Sequence, residues 1–339
     1  MAKDVLQGEH LRKVDIRGLS KEEWLKIRRA TVGGSEVGAL LGMNQYQSAY
    51  SLYCDKLELV PPFEGNLATE VGTFMEEFVA QKFSTVSGLK VQKTNFIWYN
   101  SEYEGLHASP DRFVLAPKKR KAVAGLEIKT TSAFNASKFK GSDFPVQYYA
   151  QCVQYMAVTE LPVWYLAVLV GNHEFHIYQL TRDKETPQPD WCEAQVYVED
   201  DEIRVLYERA REFLEHVATH NPPDVDGSSA TSEVIRETAP ASTDREIDLS
   251  RYEPDIDRYF ALKEQADLVN EQADAILNAL KLEMGDAGTA MAMGYKITYR
   301  SQVSNRIDSR RLKAELPDIY SRYTQPSVSR PMRIVKITK

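Results

Sequence analysis

Asp111, Glu127 and Lys129 are the residues whose types and spacing most directly suggest chemistry. They stand in Ser109-Pro110-Asp111 and Leu126-Glu127-Ile128-Lys129, on either side of the basic turn Lys118-Lys119-Arg120-Lys121. Both flanking stretches are rich in β-branched and aromatic residues, so each is expected as a strand. Side chains alternate along a strand, so Glu127 and Lys129 share one face while Leu126 and Ile128 turn to the core. Pairing of the two strands then sets Asp111 beside Glu127. Two carboxylates and an ammonium on one face suit hydrolysis of a phosphodiester. The acids hold one or two Mg²⁺ ions that offset charge on the attacking and leaving oxygens, and the lysine positions or activates the water. The same residues also describe a solvated strand with an incidental ion pair, because a bare D…ExK pattern recurs by chance.

Three further groups bear on that choice. Gly33-Gly34-Ser35 is expected to open a helix over 36–41, with Ser35 at the N-cap and Gly42 as its stop. Free backbone donors, a hydroxyl and the positive end of a helix suit a terminal phosphate, and Arg28 adds a charge-assisted fork. Most such turns are only caps. A second helix, expected over 66–87 and stopped by Gly88, carries Glu76 and Glu77. Helical periodicity puts Glu77 nearer the apolar arc and Glu76 away from it. A third helix, over 145–159, projects Tyr148 and Gln151 together, one turn apart. An amide and a phenol beside a metal orient a water or hold a phosphate oxygen, though a Gln-rich amphipathic helix would look the same. His173 and His176 are too closely spaced for HExxH and are expected to be structural. The Lys118–Lys121 run reads first as a solvated turn and second as a contact to a duplex backbone.

The elements that position these residues follow an α/β order. Ser20 and Glu23 have capping-box spacing ahead of a helix through Trp24, Ile27 and Arg28. Strands are expected over 91–99, 105–115 and 122–129, then, after the Tyr148 helix, over 163–170 and 175–180. A mixed central sheet flanked by helices results. Residues 1–220 form this domain, and 221–248, rich in Pro, Ser, Thr, Ala and Asp, read as a linker. Residues 249–339 form an extension. Ala266, Val269, Ala273, Ile276 and Leu280 place a narrow stripe on a helix of roughly thirty residues, and a small βαβ-like tail is expected over 294–301, 308–316 and 332–338.

Bulk composition is that of an ordinary globular chain. Of 339 residues, 43% are hydrophobic and 27% charged, which excludes disordered and fibrous classes. No apolar run approaches the roughly 20 residues of a membrane span, and no secretory signal opens the chain, so no membrane contact and a cytoplasmic location are expected. Cys54, Cys152 and Cys192 are widely spaced and odd in number, which indicates neither disulfides nor a thiolate metal site. They also fall short of the four thiolates of an iron–sulfur cluster. A net charge of −7 speaks against nucleic acid on its face, but binding follows the local field, and a cation site must itself carry carboxylates.

WLKIRRATVGGSEVGALLG, GTFMEEF, HASPDRFV, GLEIKTT and PVQYYAQCVQYMAVT, in this order, resemble the YqaJ-type viral recombinase and lambda exonuclease family of the PD-(D/E)XK nuclease superfamily. The resemblance covers roughly residues 20 to 220. It implies Asp111 and Glu127 as metal ligands, with the Ile128 backbone carbonyl, and Lys129 as the catalytic lysine. It places the family's helix glutamate on Glu76, against the periodicity. Tyr148 and Gln151 match the helix residues beside the metals, and Arg28 and Ser35 those that hold a 5′-phosphate. The implied activity is 5′-to-3′ digestion of one strand of linear double-stranded DNA with Mg²⁺, Mn²⁺ substituting. The implied partners are free DNA ends, a single-strand annealing protein and further copies of the chain, three in the lambda enzyme. The extension puts that trimer in question. An endonuclease on the same core, or a non-cutting end-binding scaffold, would fit many of the same residues.

Overall fold

The computed structural model describes residues 5–326 and 329–336. The chain divides into two units, Met1–Ala239 and Pro240–Lys339.

The first unit opens with strand β1 (Leu11–Asp15) and helix α1 (Lys21–Arg29), whose start is the expected Ser20–Glu23 capping box. Strand β2 (Val32–Gly33) leads into helix α2 (Gly34–Leu40), and helix α3 (Ala49–Lys56) follows. Helix α2 begins one residue before Ser35, with Gly33 as its N-cap. The reason is Glu36, whose carboxylate accepts the Gly33 N–H at 2.8 Å and closes the turn that a Ser35 cap was expected to close. Helix α4 (Leu67–Ser87) starts on an Asn66 cap and ends on Gly88 at φ 72°, as its sequence signals require.

Two expected strands break in two. The stretch 91–99 becomes β3 (Val91–Lys93) and β4 (Phe96–Asn100), which pair with different partners, β4 with β1. The stretch 105–115 becomes β5 (Leu106–His107) and β6 (Arg112–Leu115). Pro110 explains the second break, since it has no N–H to give to a ladder. Asp111 therefore lies just ahead of a strand rather than within one. Next come β7 (Ala122–Thr131), helix α5 (Val146–Thr159), β8 (Val163–Val170), β9 (Glu174–Thr181), β10 (Ala194–Tyr197) and helix α6 (Asp200–Thr219).

The six-stranded sheet runs β10-β9-β8-β7-β6-β3. Strands β7 and β8 are parallel, which requires a crossover, and α5 supplies it. Strand β7 is buried on both faces. Leu126 and Ile128 pack with Val79, Ala80 and Phe83 of α4, while Cys152 and Met156 of α5 pack with Trp164 and Leu166 in the other layer. Gly125 admits the Trp164 indole, which a Cβ at that position would strike.

The expected linker over 221–248 is not one throughout. It contains helix α7 (Ser229–Thr238), whose Ala230 and Thr231 are buried, Thr231 donating to the Ser48 hydroxyl at 2.7 Å. The division between units falls after Ala239 instead. In the second unit, helix α8 (Glu253–Met284) matches the expected long helix, and its stripe residues Val269, Ile276 and Leu280 are exposed. The tail is a hairpin of β11 (Thr289–Ala292) and β12 (Tyr295–Thr298) followed by helices α9 (Ser309–Glu315) and α10 (Pro317–Tyr323), not a βαβ unit. Residues 332–336 form no strand, and 337–338 lie outside the described residues.

Candidate active site

The ladder between β6 and β7 ends at the pair Arg112 and Leu126, so Asp111 meets β7 with its side chain. Its Oδ2 accepts the Ile128 N–H at 2.7 Å. In a strand the N–H and C=O of one residue leave on the same edge. The Ile128 carbonyl therefore faces the gap that β6 has vacated beside Asp111. Glu127 Oε1 accepts from Lys129 Nζ at 2.6 Å and from Gln151 Nε2 at 2.7 Å. Lys129 Nζ also stands 5.3 Å from the centre of the Tyr148 ring. Strand pairing predicts Asp111, Glu127 and Lys129 together and the family resemblance adds Tyr148 and Gln151; the structure brings all five together.

The cluster is short of positive charge. Glu127 Oε2 is buried with no hydrogen-bond partner among the described residues. Burial, then repulsion from Glu127, pushes the Asp111 carboxyl well above its usual range, although Lys129 and the Ile128 N–H pull the other way. Burial likewise raises Glu127 despite the attraction of Lys129. For Lys129 burial disfavours the ammonium, but the pull of Glu127 and Asp111 exceeds it, and the group is held protonated.

Glu76 lies at the edge of this cluster. Both carboxylates of the α4 pair meet Arg112, whose side chain is buried. Its Nη1 donates to Glu76 Oε1 and, at 2.6 Å, to the Asp111 carbonyl, and its Nη2 donates to Glu77 Oε2 at 3.0 Å. Lys93 Nζ stands 3.4 Å from Glu76. The Glu76 side chain is 22% exposed and that of Glu77 66%, so the inward glutamate is Glu76 and the periodicity argument fails. It fails because the apolar arc on α4 is not the buried face: Leu67, Val71, Phe74 and Phe78 are exposed, whereas Val79, Ala80 and Phe83 are buried.

The second group of expected residues lies on a cavity of about 450 Å³ lined by Trp24, Arg28, Ser35, Tyr46, Gln47 and Phe63, among others. Arg28 Nη2 donates to Ser35 Oγ at 3.1 Å and to Glu36 Oε1 at 3.3 Å, and the guanidinium lies 4.7 Å from the Trp24 ring centre. Tyr155 joins the two places. A Cβ on Gly34 would collide with its ring, and its hydroxyl accepts from Gln151 Nε2 at 3.1 Å. Gln154, one residue earlier, donates to the carbonyls of Val32 and His107. Helix α5 thus touches both the acids and the segment that carries Ser35.

Sequence reasoning missed Arg112, Glu36, Lys56 and His107. Glu36 sits three residues after Gly33, a capping-box spacing that could have been noticed. Lys56 and Arg112 carry no local signal. His107 is buried with Nδ1 2.8 Å from the Thr31 hydroxyl, and burial pushes it down to about 3, so it is neutral. All three cysteines are free and buried, His176 pairs with Glu193 at 2.7 Å, and Lys118–Lys121 is an exposed turn. Among the described residues, no helix is long and apolar enough to cross a membrane. His10, Glu102 and Glu160 also bring potential ligand atoms within 4.8 Å of one another, but at a solvated surface.

A mixed sheet with helices on both faces, an acid at the entry to one strand and Glu-x-Lys on the next, defines the fold and candidate site of an α/β protein. The chain belongs to the YqaJ family. The model of the YqaJ-like viral recombinase domain matches residues 23–162. The uncharacterised protein YqaJ of Bacillus subtilis strain 168 is 31% identical over 326 residues, which span 94% of this chain and 96% of that one. Among solved structures, LHK-Exo in complex with dAMP has a TM-score of 0.42 at 18% identity, over 65% of this chain and 98% of that one. LHK-Exo is also described as an alkaline exonuclease of Laribacter hongkongensis. A phage-related exonuclease of Haemophilus somnus 129PT has a TM-score of 0.40 at 13% identity, over 58% of this chain and 99% of that one.

Proposed function

We propose that the chain is a divalent-metal-dependent deoxyribonuclease that digests one strand of linear duplex DNA from its 5′ end and leaves a 3′ single strand. The observation that carries this reading is the cluster of Asp111, Glu127 and Lys129, in which a buried carboxylate oxygen of Glu127 has no donor among the described residues. A buried charged acceptor without a partner is costly, and acids raised by burial and mutual repulsion are relieved by a cation. The residues present therefore fit a divalent ion. Asp111, Glu127 and the Ile128 carbonyl would hold it, joined by Glu76 once that side chain leaves Arg112. Bound there, Mg²⁺, or Mn²⁺ in its place, would offset charge developing on the phosphoryl oxygens.

The chain's own groups supply the rest. Lys129, protonated between Glu127 and the Tyr148 ring, donates hydrogen bonds toward the phosphate or the attacking water rather than removing a proton. Gln151 fixes the rotamer of Glu127 and is itself anchored on Tyr155. Arg28 and Ser35 hold the terminal phosphate. Only Nη2 of the guanidinium is committed among the described residues, which leaves its other donors for an anion. We assign the nuclease to the first unit and an oligomer or partner contact to the second. The family resemblance extends the proposal to a homo-oligomer, three copies by analogy with the lambda enzyme, to a single-strand annealing protein as partner, and to the cytoplasm of a bacterial host.

Linear duplexes with 5′-phosphate or 5′-hydroxyl ends and closed circles, each with Mg²⁺ and with EDTA, test this. Digestion restricted to linear DNA, dependent on Mg²⁺ and releasing a 5′ label first, is expected. Cutting of closed circles would make the enzyme an endonuclease with the same core, and end binding without cutting would make it a scaffold.

A further inference from the structure

Below the Arg28 and Ser35 surface lies a closed set of ionic hydrogen bonds that the cutting chemistry does not use. The Lys56 side chain has no exposure, so it cannot touch DNA or solvent. Its Nζ donates to the carbonyl of Arg28 at 2.8 Å, to that of Thr31 at 2.6 Å and to Glu36 Oε2 at 2.7 Å, which uses all three of its protons. Glu36 Oε2 also accepts the Gly33 N–H at 2.8 Å, and Oε1 accepts from Arg28 Nη2 at 3.3 Å.

We infer that Lys56 and Glu36 are the positioning pair of the end-phosphate pocket, acting through Arg28 and Ser35; the inference rests on the phosphate reading of that pocket. Lys56 ties the end of α1, where Arg28 sits, to Glu36 in the first turn of α2, beside Ser35. Glu36 then holds the Arg28 guanidinium, so backbone and side chain of the same arginine are fixed by one ion pair. Arginine is a long side chain with much rotamer freedom to lose, and a fixed fork loses less of it on meeting a planar anion. The charges agree. One acid stands between two bases, the surplus is positive, and of the two bases it is Arg28 that lines the cavity, beside Glu36. An apolar pair of similar volume would fill the same space, but it would strand the carbonyls of Arg28 and Thr31 and the Gly33 N–H, and would leave Arg28 only the Ser35 hydroxyl to orient it.

The test uses the full chain and duplexes that differ only in a 5′-phosphate or 5′-hydroxyl. Wild type, Arg28→Ala and the double variant Lys56→Met with Glu36→Gln, which strands no buried charge, are compared by kcat and KM, with thermal unfolding as the check on folding. The double variant is expected to lose between about ten- and a hundredfold of the preference for 5′-phosphate ends, the scale of a misplaced binding group. The loss should fall on KM for phosphorylated ends, with kcat and the rate on hydroxyl ends retained. Should the double variant not fold, Glu36→Gln, which keeps the shape of the side chain, carries the same comparison. A folded variant that keeps the preference while Arg28→Ala loses it would overturn the inference and leave the pocket standing. No preference in either wild type or Arg28→Ala would overturn the phosphate reading, and the inference with it.

Discussion

Glu127 and Glu36 are both buried glutamates within reach of a lysine, and their surroundings drive them in opposite directions. Around Glu36, two cations and a backbone N–H outweigh the cost of burial, and the carboxyl is pulled below its usual range. Around Glu127, one ammonium and one amide face a second acid, Asp111, with Glu76 near by; burial wins, and both Asp111 and Glu127 are raised. The first cluster is complete within the chain. The second has fewer cations than acids, and one of its oxygens has no partner among the described residues. A buried polar network that closes on itself holds a shape, whereas one left open marks where something from outside completes it.

The sharpest way to break this comparison is Lys129→Ala. It is expected to lower kcat about a hundred- to a thousandfold, as when one donor aimed at developing charge is removed, while end binding persists. Single-turnover cleavage alongside a DNA-binding titration separates the two, and normal turnover would remove the lysine from the reaction. Next in size is the response to metal. At a hundredfold excess over its dissociation constant, Mg²⁺ or Mn²⁺ should stabilise the wild type by about 2.7 kcal/mol, read as a rise in Tm. Glu127→Gln should lose that rise, and Glu36→Gln should keep it.

The pH dependence of the metal-free protein comes third, and its sign differs between the clusters. Acids raised in the folded state make that state bind protons more tightly than the unfolded one, so the Asp111 and Glu127 contribution falls as pH rises above the ordinary carboxylate range. Glu36 is lowered, so its contribution is present above its unfolded value and is lost as pH falls through its folded one. Tm against pH should therefore lose slope above the carboxylate range in Asp111→Asn and on the acid side in Glu36→Gln. The same slope in both variants would contradict the comparison. The smallest effect is expected at Glu77, whose side chain is 66% exposed and whose partner Arg112 keeps Glu76 and the Asp111 carbonyl as acceptors. Glu77→Gln should leave the metal-induced rise in Tm intact, and Glu76→Gln should reduce it.

Much of the candidate site was legible in the chain. The two-residue period of a strand put Glu127 and Lys129 on one face, and the antiparallel return through a basic turn set Asp111 next to them. The three-residue step of a helix put Tyr148 and Gln151 on the same side, and caps at Ser20 and Gly88 marked their helices. Other parts misled. Helix α4 carries an apolar arc that faces solvent, so the hydrophobic pattern chose Glu77 where packing against the sheet turned Glu76 inward.

What the sequence by itself determined is therefore what repeats over a few residues: strand alternation, helical faces, turns and caps, each dictated by backbone geometry. Only the tertiary structure decided which charges meet. Lys56 finds Glu36 20 positions away, Arg112 finds Glu76 at 36, and Gln151 finds Glu127 at 24. A side chain at the end of a flexible stem takes its partner from whatever packing brings within about 3 Å, and no local pattern in the chain encodes that distance.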